Sequence, residues 1–136
     1  MPIHVVRSLA TAITRQVGLR DPLTIVFVGK QTMARLNDAT RGHAEPTDVL
    51  SFSYAAVGKS VFKTGPEVAA RGELFLCMPV ITARAKIHSE AVHLALRRTV
   101  IHGILHLIGY THDTAPTKIK MRRVEDRLLH SSHASL

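Results

Sequence analysis

The sequence predicts an α+β fold, a single compact domain over residues 1–136 in which a small mixed sheet packs with four to five helices. Short runs rich in β-branched and aromatic residues alternate with longer segments whose apolar residues recur at helical spacing. A chain of 136 residues is long enough to bury a core without disulfides. The connections between these segments are short, with one exception.

The first elements alternate helix and strand. Residues 3–17 carry apolar side chains at helical spacing and end at Gly18, which predicts a core-facing helix. Because the first twenty residues hold three arginines and no acid, an organellar transit peptide is the alternative. Residues 23–29 predict a buried strand, residues 30–38 a short helix, and the Gly- and Pro-containing residues 41–48 a loop.

Two further strands flank the long connection. Residues 48–55 alternate apolar and polar side chains, which predicts a strand with one apolar face. Residues 57–72 contain several glycines and a proline, which predicts a flexible connection with room for a short hairpin. The apolar run at 72–78 predicts the next strand.

Three helices complete the chain. Pro79 suits the first turn of a helix over 79–88, with Ile81, Ala85 and Ile87 or their neighbours facing inward. Residues 90–108 predict a second helix, closed by Gly109. Pro116 opens the last helix, and its buried stripe is predicted to comprise Met121, Val124 and Leu128.

Composition excludes some functions and favours others. Because no apolar run approaches the length that spans a bilayer, we do not expect a membrane protein. The single cysteine, Cys77, permits no intrachain disulfide and is interpreted as a small buried hydrophobe. Eighteen basic against ten acidic residues give a formal charge of +8, which suggests a polyanionic partner such as nucleic acid or anionic lipid. Solubility charge spread evenly over the surface is the alternative, and composition alone does not decide between them. With no Trp and few other aromatics, phosphate contacts would carry the affinity for RNA.

The stretch HGILHLIGYTHD, residues 102–113, places three histidines in an apolar segment. His102 and His106 lie four apart and therefore share one helix face. Gly109 lets the chain reverse, so that His112 can return toward the first two. Burying imidazoles costs free energy unless their nitrogens find partners. A shared metal ion at the end of the helix and the following turn is the predicted partner; backbone carbonyls satisfying three core histidines are the alternative.

Three neutral imidazoles leave a bound Zn²⁺ one open position, which is the arrangement of catalytic sites. A water there can have its pKa lowered to about 7. The same histidine spacing occurs in metzincin proteases, where a Glu follows the first histidine as general base. Here that position is Gly103, which argues against a peptidase.

Three motifs in order resemble the YbeY family of rRNA maturation factors, which are single-strand-specific, metal-dependent endoribonucleases. They are HGILHLIGYTH, the block LNDATRGHAEPTDVLSFSY at 36–54, and GELFLC at 72–77. The chain departs from the family at Thr111, which replaces an Asp, and Asp113 follows the third histidine. Ser53 stands where the family has Pro, and Glu73 where it has Asp. Little sequence precedes the first helix to form the family's opening strand, so the alternatives are a sheet without that strand and a short strand at residues 3–7.

The resemblance implies one zinc ion bound by His102, His106 and His112, and a functional arginine, Arg41, beside it. A guanidinium offers a planar fork of donors suited to a phosphodiester; pairing of Arg41 with Glu45 or Asp48 is the alternative. The implied function is hydrolysis of single-stranded RNA in small-subunit rRNA 3′-end processing and ribosome quality control. The implied setting is the cytoplasm, with rRNA and small-subunit ribosomal proteins as partners.

Several points stay open at this stage. The proton acceptor is the metal-bound hydroxide, Asp113 or Glu73, and the nucleophile is water or the substrate's own 2′-OH. A non-catalytic ribosome assembly factor is the alternative function, and a peptide or small-molecule hydrolase is a third. Seven basic residues are candidates for the RNA surface: Arg97, Arg98, Lys118, Lys120, Arg122, Arg123 and Arg127. On the last helix, Lys118 and Arg122 lie on one side, and Lys120, Arg123 and Arg127 lie on another.

Overall fold

The computed structural model describes residues 3–19, 22–53 and 72–133. Residues 57–71 of the connection predicted at 57–72 lie outside the described residues, as do the last two residues of the strand predicted at 48–55. Within the described ranges the order of elements is the predicted one: α1 Ile3–Val17, β1 Leu23–Phe27, α2 Lys30–Arg41, β2 Val49–Ser53, β3 Gly72–Leu76, α3 Met78–Ile87, α4 Val92–Leu107 and α5 Ala115–His133. Five helices and a small mixed sheet confirm the α+β prediction.

The sheet has the strand order β1-β3-β2. β1 runs parallel to β3 and β2 runs antiparallel to it, with Ser51 opposite Leu74. β3 is therefore the central strand among those described, and it is the one whose Leu74 and Leu76 are fully buried. Most of β1 is only partly buried, so the prediction of a buried strand there was wrong. Its position at one side of the sheet accounts for the difference.

Both faces of the sheet are covered. On one face, α1, α3, α4 and α5 build the main core, in which Val49 of β2 is buried. On the other face, Met33 of α2 packs with Leu50 and Cys77. Since the neighbours Val49 and Leu50 are both buried, β2 has two apolar faces at its start, not the single one predicted. Cys77 is a buried free thiol, as predicted.

α2 is longer than predicted and includes Arg41. The helix ends at Gly42, which adopts a left-handed conformation (φ 74°) and donates its N–H to the Asp38 carbonyl. Such a glycine is the usual stop signal of a helix. Asn37 is buried and its amide Nδ2 donates to the Glu45 carbonyl over 2.8 Å, which holds the following loop against the helix. Arg41 is thus the last helical residue and not the first residue of the loop.

The remaining helices follow their patterns, except that Val124 of α5 is only partly buried and Ile87 of α3 is exposed. Val6, Leu9 and Ile13 of α1 are buried in the main core, so residues 3–17 form the predicted core helix and residues 3–7 supply no strand. Ile87 was a candidate for the buried side of α3 but is 76% exposed. It lies at the last residue of that helix, beyond the turn that packs on the core. No helix in the described ranges is long and apolar enough to cross a bilayer.

Candidate metal centre

The end of α4 brings the three histidines together. After Leu107 the chain reverses at Gly109, whose φ is 104°. The N–H of Tyr110 donates to the Leu105 carbonyl and that of Gly109 to the His106 carbonyl, the pair of bonds that defines a Schellman ending. The ring centroid of His112 then lies 4.9 Å from that of His106 and 5.6 Å from that of His102. The turn therefore returns the third histidine to the first two, as predicted.

Gly103 is where α4 touches the sheet. A Cβ at this position would lie 2.9 Å from Leu74 Cδ2 and 3.1 Å from Val49 Cγ2, closer than carbon atoms approach without displacement. The Ser51 hydroxyl donates to the Gly103 carbonyl over 2.9 Å. A glutamate like that of the metzincins would have to displace these side chains. The glycine that excludes a protease base is required by the packing that positions the histidines.

Hydrogen bonds fix the tautomers of two histidines. His106 Nδ1 lies 3.0 Å from the Tyr110 carbonyl oxygen, and His102 Nδ1 lies 3.3 Å from Glu125 Oε2. Because a carbonyl and a carboxylate only accept hydrogen bonds, each Nδ1 carries the proton in the neutral ring. Each Nε2 is therefore left with its lone pair, which is the form that ligates metal.

The two free nitrogens face each other. His106 Nε2 and His102 Nε2 are 3.0 Å apart, so two lone pairs repel unless a cation lies between them. Imidazole nitrogens bound tetrahedrally to a zinc ion at about 2.0–2.1 Å are separated by roughly 3.3 Å, a few tenths of an ångström more. One ligand atom from each of His102, His106 and His112 can be chosen so that all lie within 4.8 Å of one another. The three side chains could hold a metal ion.

The site disfavours protonation of His106. Burial lowers the pKa of His106 below its ordinary value, and the neighbouring His102, His112 and Arg41 lower it further. The hydrogen bond to the Tyr110 carbonyl acts in the opposite direction. The neutral, metal-ligating form of the ring is therefore the favoured one near neutral pH.

Arg41 lies in the same cleft as the histidines. The cleft, of about 670 Å³, is lined by the three histidines and by Arg41, which enters from the end of α2. Asp48, one proposed partner of Arg41, instead pairs with Arg84 at 2.9 Å, and Glu45 uses its backbone carbonyl to accept from Asn37. Among the described residues Arg41 has no ion-pair partner. The guanidinium is therefore available to a ligand.

Two other sequence candidates are placed differently. Glu73, a candidate proton acceptor, is on β3 and is not among the side chains that line the cleft, whereas Asp113 and Thr111 are. Arg97, a candidate for the RNA surface, is only 9% exposed, so that prediction was wrong. Position 97 is four residues before Ile101, which is fully buried, and it therefore lies on the inward side of α4.

Sequence reasoning missed Glu125. This residue of α5 accepts from His102, and its side chain is only 13% exposed. A carboxylate that holds the outer nitrogen of a ligand imidazole fixes its orientation and raises its basicity. A signal was present in the sequence: Glu125 lies four residues after Met121 and so beside the buried stripe of α5, in a helix otherwise rich in Lys and Arg.

Comparison with known proteins gives a consistent match. A protein-family model described as endoribonuclease YbeY matches residues 3–133. A protein of that name from Thermodesulfovibrio yellowstonii is 34% identical over 113 residues, which cover 79% of this chain and 64% of the relative. Another, from Syntrophomonas wolfei, is 27% identical over 131 residues, which cover 93% of this chain and 84% of the relative.

The fold also matches a solved structure. A Thermotoga maritima protein determined in solution superposes with a TM-score of 0.56 at 22% identity, over 98% of this chain and 85% of that chain. At this identity the likeness concerns the fold alone. The chain spans less than two thirds of the length of several of the relatives it matches, including 64% of the Thermodesulfovibrio protein and 62% of one from Alteromonas mediterranea.

Proposed function

Because the chain belongs to the YbeY family, we propose that it is a zinc-dependent, single-strand-specific endoribonuclease of rRNA maturation. Its proposed tasks are small-subunit rRNA 3′-end processing and ribosome quality control in the cytoplasm, with rRNA and small-subunit ribosomal proteins as partners. The observation that carries the proposal is the convergence of His102, His106, His112 and Arg41 on one cleft.

The proposed ligands of zinc are the three imidazoles. Two have their outer nitrogens engaged by Glu125 and by the Tyr110 carbonyl, an arrangement that orients the free nitrogens inward. When bound, zinc supplies Lewis-acid chemistry and lowers the pKa of water. Three nitrogen ligands leave a position for a water or a phosphate oxygen.

Arg41 is proposed to clamp the scissile phosphate. Its guanidinium can donate two parallel N–H bonds to phosphate oxygens. Charge grows on those oxygens in the transition state, and fixed donors placed there lower the barrier. The backbone at the end of α2 is held by the Gly42 turn and the Asn37 bond, which limits the reorganisation needed.

The proposed nucleophile is an activated water, with Asp113 at the cleft wall available to receive a proton. When water attacks the phosphorus, departure of the 5′-oxygen leaves a 5′-hydroxyl on the downstream product. Departure of the 3′-oxygen leaves a 5′-phosphate on it instead. Attack by the substrate's 2′-OH gives a 2′,3′-cyclic phosphate instead. End-group analysis of the cleaved RNA distinguishes the two nucleophiles. A cyclic phosphate among the products would refute water as the nucleophile and identify the 2′-OH instead.

The central experiment compares four purified proteins on one single-stranded RNA, with zinc content measured for each. They are the wild type, His106→Ala, Arg41→Ala and the control Arg35→Ala, whose arginine is exposed on the same helix as Arg41 but does not line the cleft. We expect His106→Ala to lose zinc and cleavage. Arg41→Ala should keep zinc and lose about 10²–10³-fold in rate, whereas Arg35→Ala should match the wild type.

Equal cleavage by all four proteins would point to a contaminating nuclease and would end the nuclease proposal. A wild type that binds rRNA and zinc but cuts nothing would establish the assembly-factor alternative. A wild type without tightly bound metal would remove the ligand assignment.

A further inference from the structure

We propose that Lys118 and Arg122 form a second phosphate-binding subsite for single-stranded RNA, directly beside the metal centre on the α5 side. A depression of about 210 Å³ is lined by these two residues together with His102, His112 and Glu125. The same three residues also line the larger cleft that holds Arg41. Arg41 does not line the depression, and Lys118 and Arg122 do not line the cleft, so these cations border the histidines in two adjoining hollows that share Arg98. The inference rests on the proposed function, because only an RNA strand bound at the metal centre brings a neighbouring phosphate to this depression.

The charges in the depression leave these two cations unmatched. Arg98, which also lines it, pairs with Glu90 at 3.2 Å and with Asp126 at 3.4 Å. The carboxylate of Glu125 is engaged by His102. In the part of the chain that the structure describes, neither Lys118 nor Arg122 has an ion-pair partner, and both are exposed. Asp126 also lines the depression, where it is paired with Arg98, so Lys118 and Arg122 are the two lining cations that no described carboxylate pairs with.

Helical phase selects these two residues from the basic set on α5. Lys118 and Arg122 are four apart and share a face, and Met121, between them, forms part of the wall. Lys120, Arg123 and Arg127 do not line the depression. The structure thus divides one strongly basic helix into a part that opens onto the metal centre and a part that does not.

A phosphodiester backbone is the ligand that fits this chemistry. Its charges repeat along the strand, so a phosphate held at the metal centre brings its neighbours within reach of adjoining cations. Lysine binds phosphate as a point charge and arginine as a planar fork, and neither reads the base. The chain has no Trp, two Tyr and four Phe, so affinity that base stacking supplies elsewhere must come from such contacts. The subsite should hold RNA without regard to sequence.

The test is the salt dependence of RNA binding. The probe is a labelled 2′-O-methyl oligouridine of about 12 nucleotides, added to the zinc-loaded protein, and electrophoresis of the probe after each measurement checks that it is uncut. Lys118→Ala/Arg122→Ala is compared with Arg123→Ala/Arg127→Ala, which removes the same charge from the other side of α5. Alanine favours helix, so both variants should fold, and thermal unfolding checks that they do. Anisotropy gives the dissociation constant at several salt concentrations.

Each phosphate contact with a single strand contributes about 0.7 to the slope of log K against log salt. We expect Lys118→Ala/Arg122→Ala to lower the magnitude of the slope by about 1.4 and to weaken binding on the order of tenfold at low salt. The control should change the slope by less than half as much. Steady-state cleavage of ordinary RNA should show a raised KM with kcat retained, because the reacting atoms are untouched.

Equal losses in the two variants would mean that RNA senses only the general positive field, and the subsite would be refuted. An unchanged slope in Lys118→Ala/Arg122→Ala would refute it as well. Both results leave the nuclease proposal standing, provided that the wild type binds and cleaves RNA. Failure of the wild type to bind RNA would overturn the proposed function itself together with the subsite.

Discussion

For the proposed zinc centre, replacing Glu125 tests whether a carboxylate on α5 sets the metal affinity of a histidine on α4. In Glu125→Ala the His102 Nδ1–H loses its acceptor and the ring is free to rotate. In Glu125→Gln an amide oxygen remains to accept the bond but the charge is gone. Asp126→Ala is the matched control, because it removes the same charge from the next residue, which pairs with Arg98 and not with a histidine.

The expected loss of zinc affinity depends on how far the bond between Glu125 and His102 is shielded from water. The Glu125 side chain is 13% exposed and that of His102 30% exposed, so water screens their bond only partly. Outer partners of this kind contribute about 10–100-fold to metal affinity, and we expect a loss of about 30-fold in Glu125→Ala. At free zinc 100 times the wild-type Kd, bound metal stabilises the wild type by about 2.7 kcal/mol and the variant by about 0.9 kcal/mol. The difference corresponds to a Tm lower by roughly 6 °C.

Two measurements check this expectation. Competition with a chromogenic chelator gives the zinc Kd of each variant, and thermal unfolding at one fixed free zinc concentration gives the Tm. Glu125→Gln should fall between the wild type and Glu125→Ala, because a neutral acceptor forms a weaker bond than a charged one. The reasoning is refuted if Glu125→Ala and Asp126→Ala bind zinc equally well, since charge alone would then account for both.

Three further outcomes are expected. Because the pKa of His106 is lowered in the folded state, the unfolded chain binds more protons than the folded one in acid. The contribution of His106 to the stability of the metal-free protein should therefore be fully present above the unfolded pKa of about 6.5 and be lost as the pH falls below it. Urea titrations with chelator at pH 7.5 and 5.5 should show a smaller loss in His106→Gln, and an equal loss would contradict the cause given. Gly103→Ala should lower the free energy of unfolding by up to about 2 kcal/mol, because overpacking against Leu74 costs about 1–3 kcal/mol and the higher helix propensity of alanine offsets about 1 kcal/mol. Urea unfolding measures this free energy, and an increase in stability would disprove the tight contact. Gly42→Ala should cost about 1 kcal/mol because of its left-handed φ, whereas Gly29→Ala, at φ −82°, should cost less by the same assay, and equal costs would count against the strain.

The sequence predicted elements well where local patterns decide them. The order of helices and strands, the turn at Gly109 and the return of His112 all follow from periodicity and one glycine. The extent of α2 was also readable, because Arg41 precedes a glycine that can stop a helix, but the following Pro and Asp favoured a loop. The sequence did not predict which sheet residues are buried. Leu50 is covered by α2 on the far face, and no local pattern in a strand indicates which of its two faces a helix will cover.

The same limit applies to the site. His102 and His106 are four apart on one helix, so their convergence follows from helical geometry. Glu125 reaches His102 from another helix, 23 residues away in sequence, and only the packing of α4 on α5 makes the contact. Arg97 was misjudged because charge suggested exposure, whereas its place in the helical repeat put it beside Ile101.

The hydrogen bond between Ser51 and Gly103 joins residues 52 apart in the chain and has a consequence for the order of folding. Closing so long a loop costs entropy before any contact offsets it. α4 on its own carries two of the three histidines in the right phase, but we expect its docking on β2 to be a late event, because the two elements are distant in sequence. The cleft that unites Arg41 with the histidines exists only after that event. If the proposed metal centre is correct, tight metal uptake would then report completion of the fold, and a chain arrested earlier would lack the assembled centre.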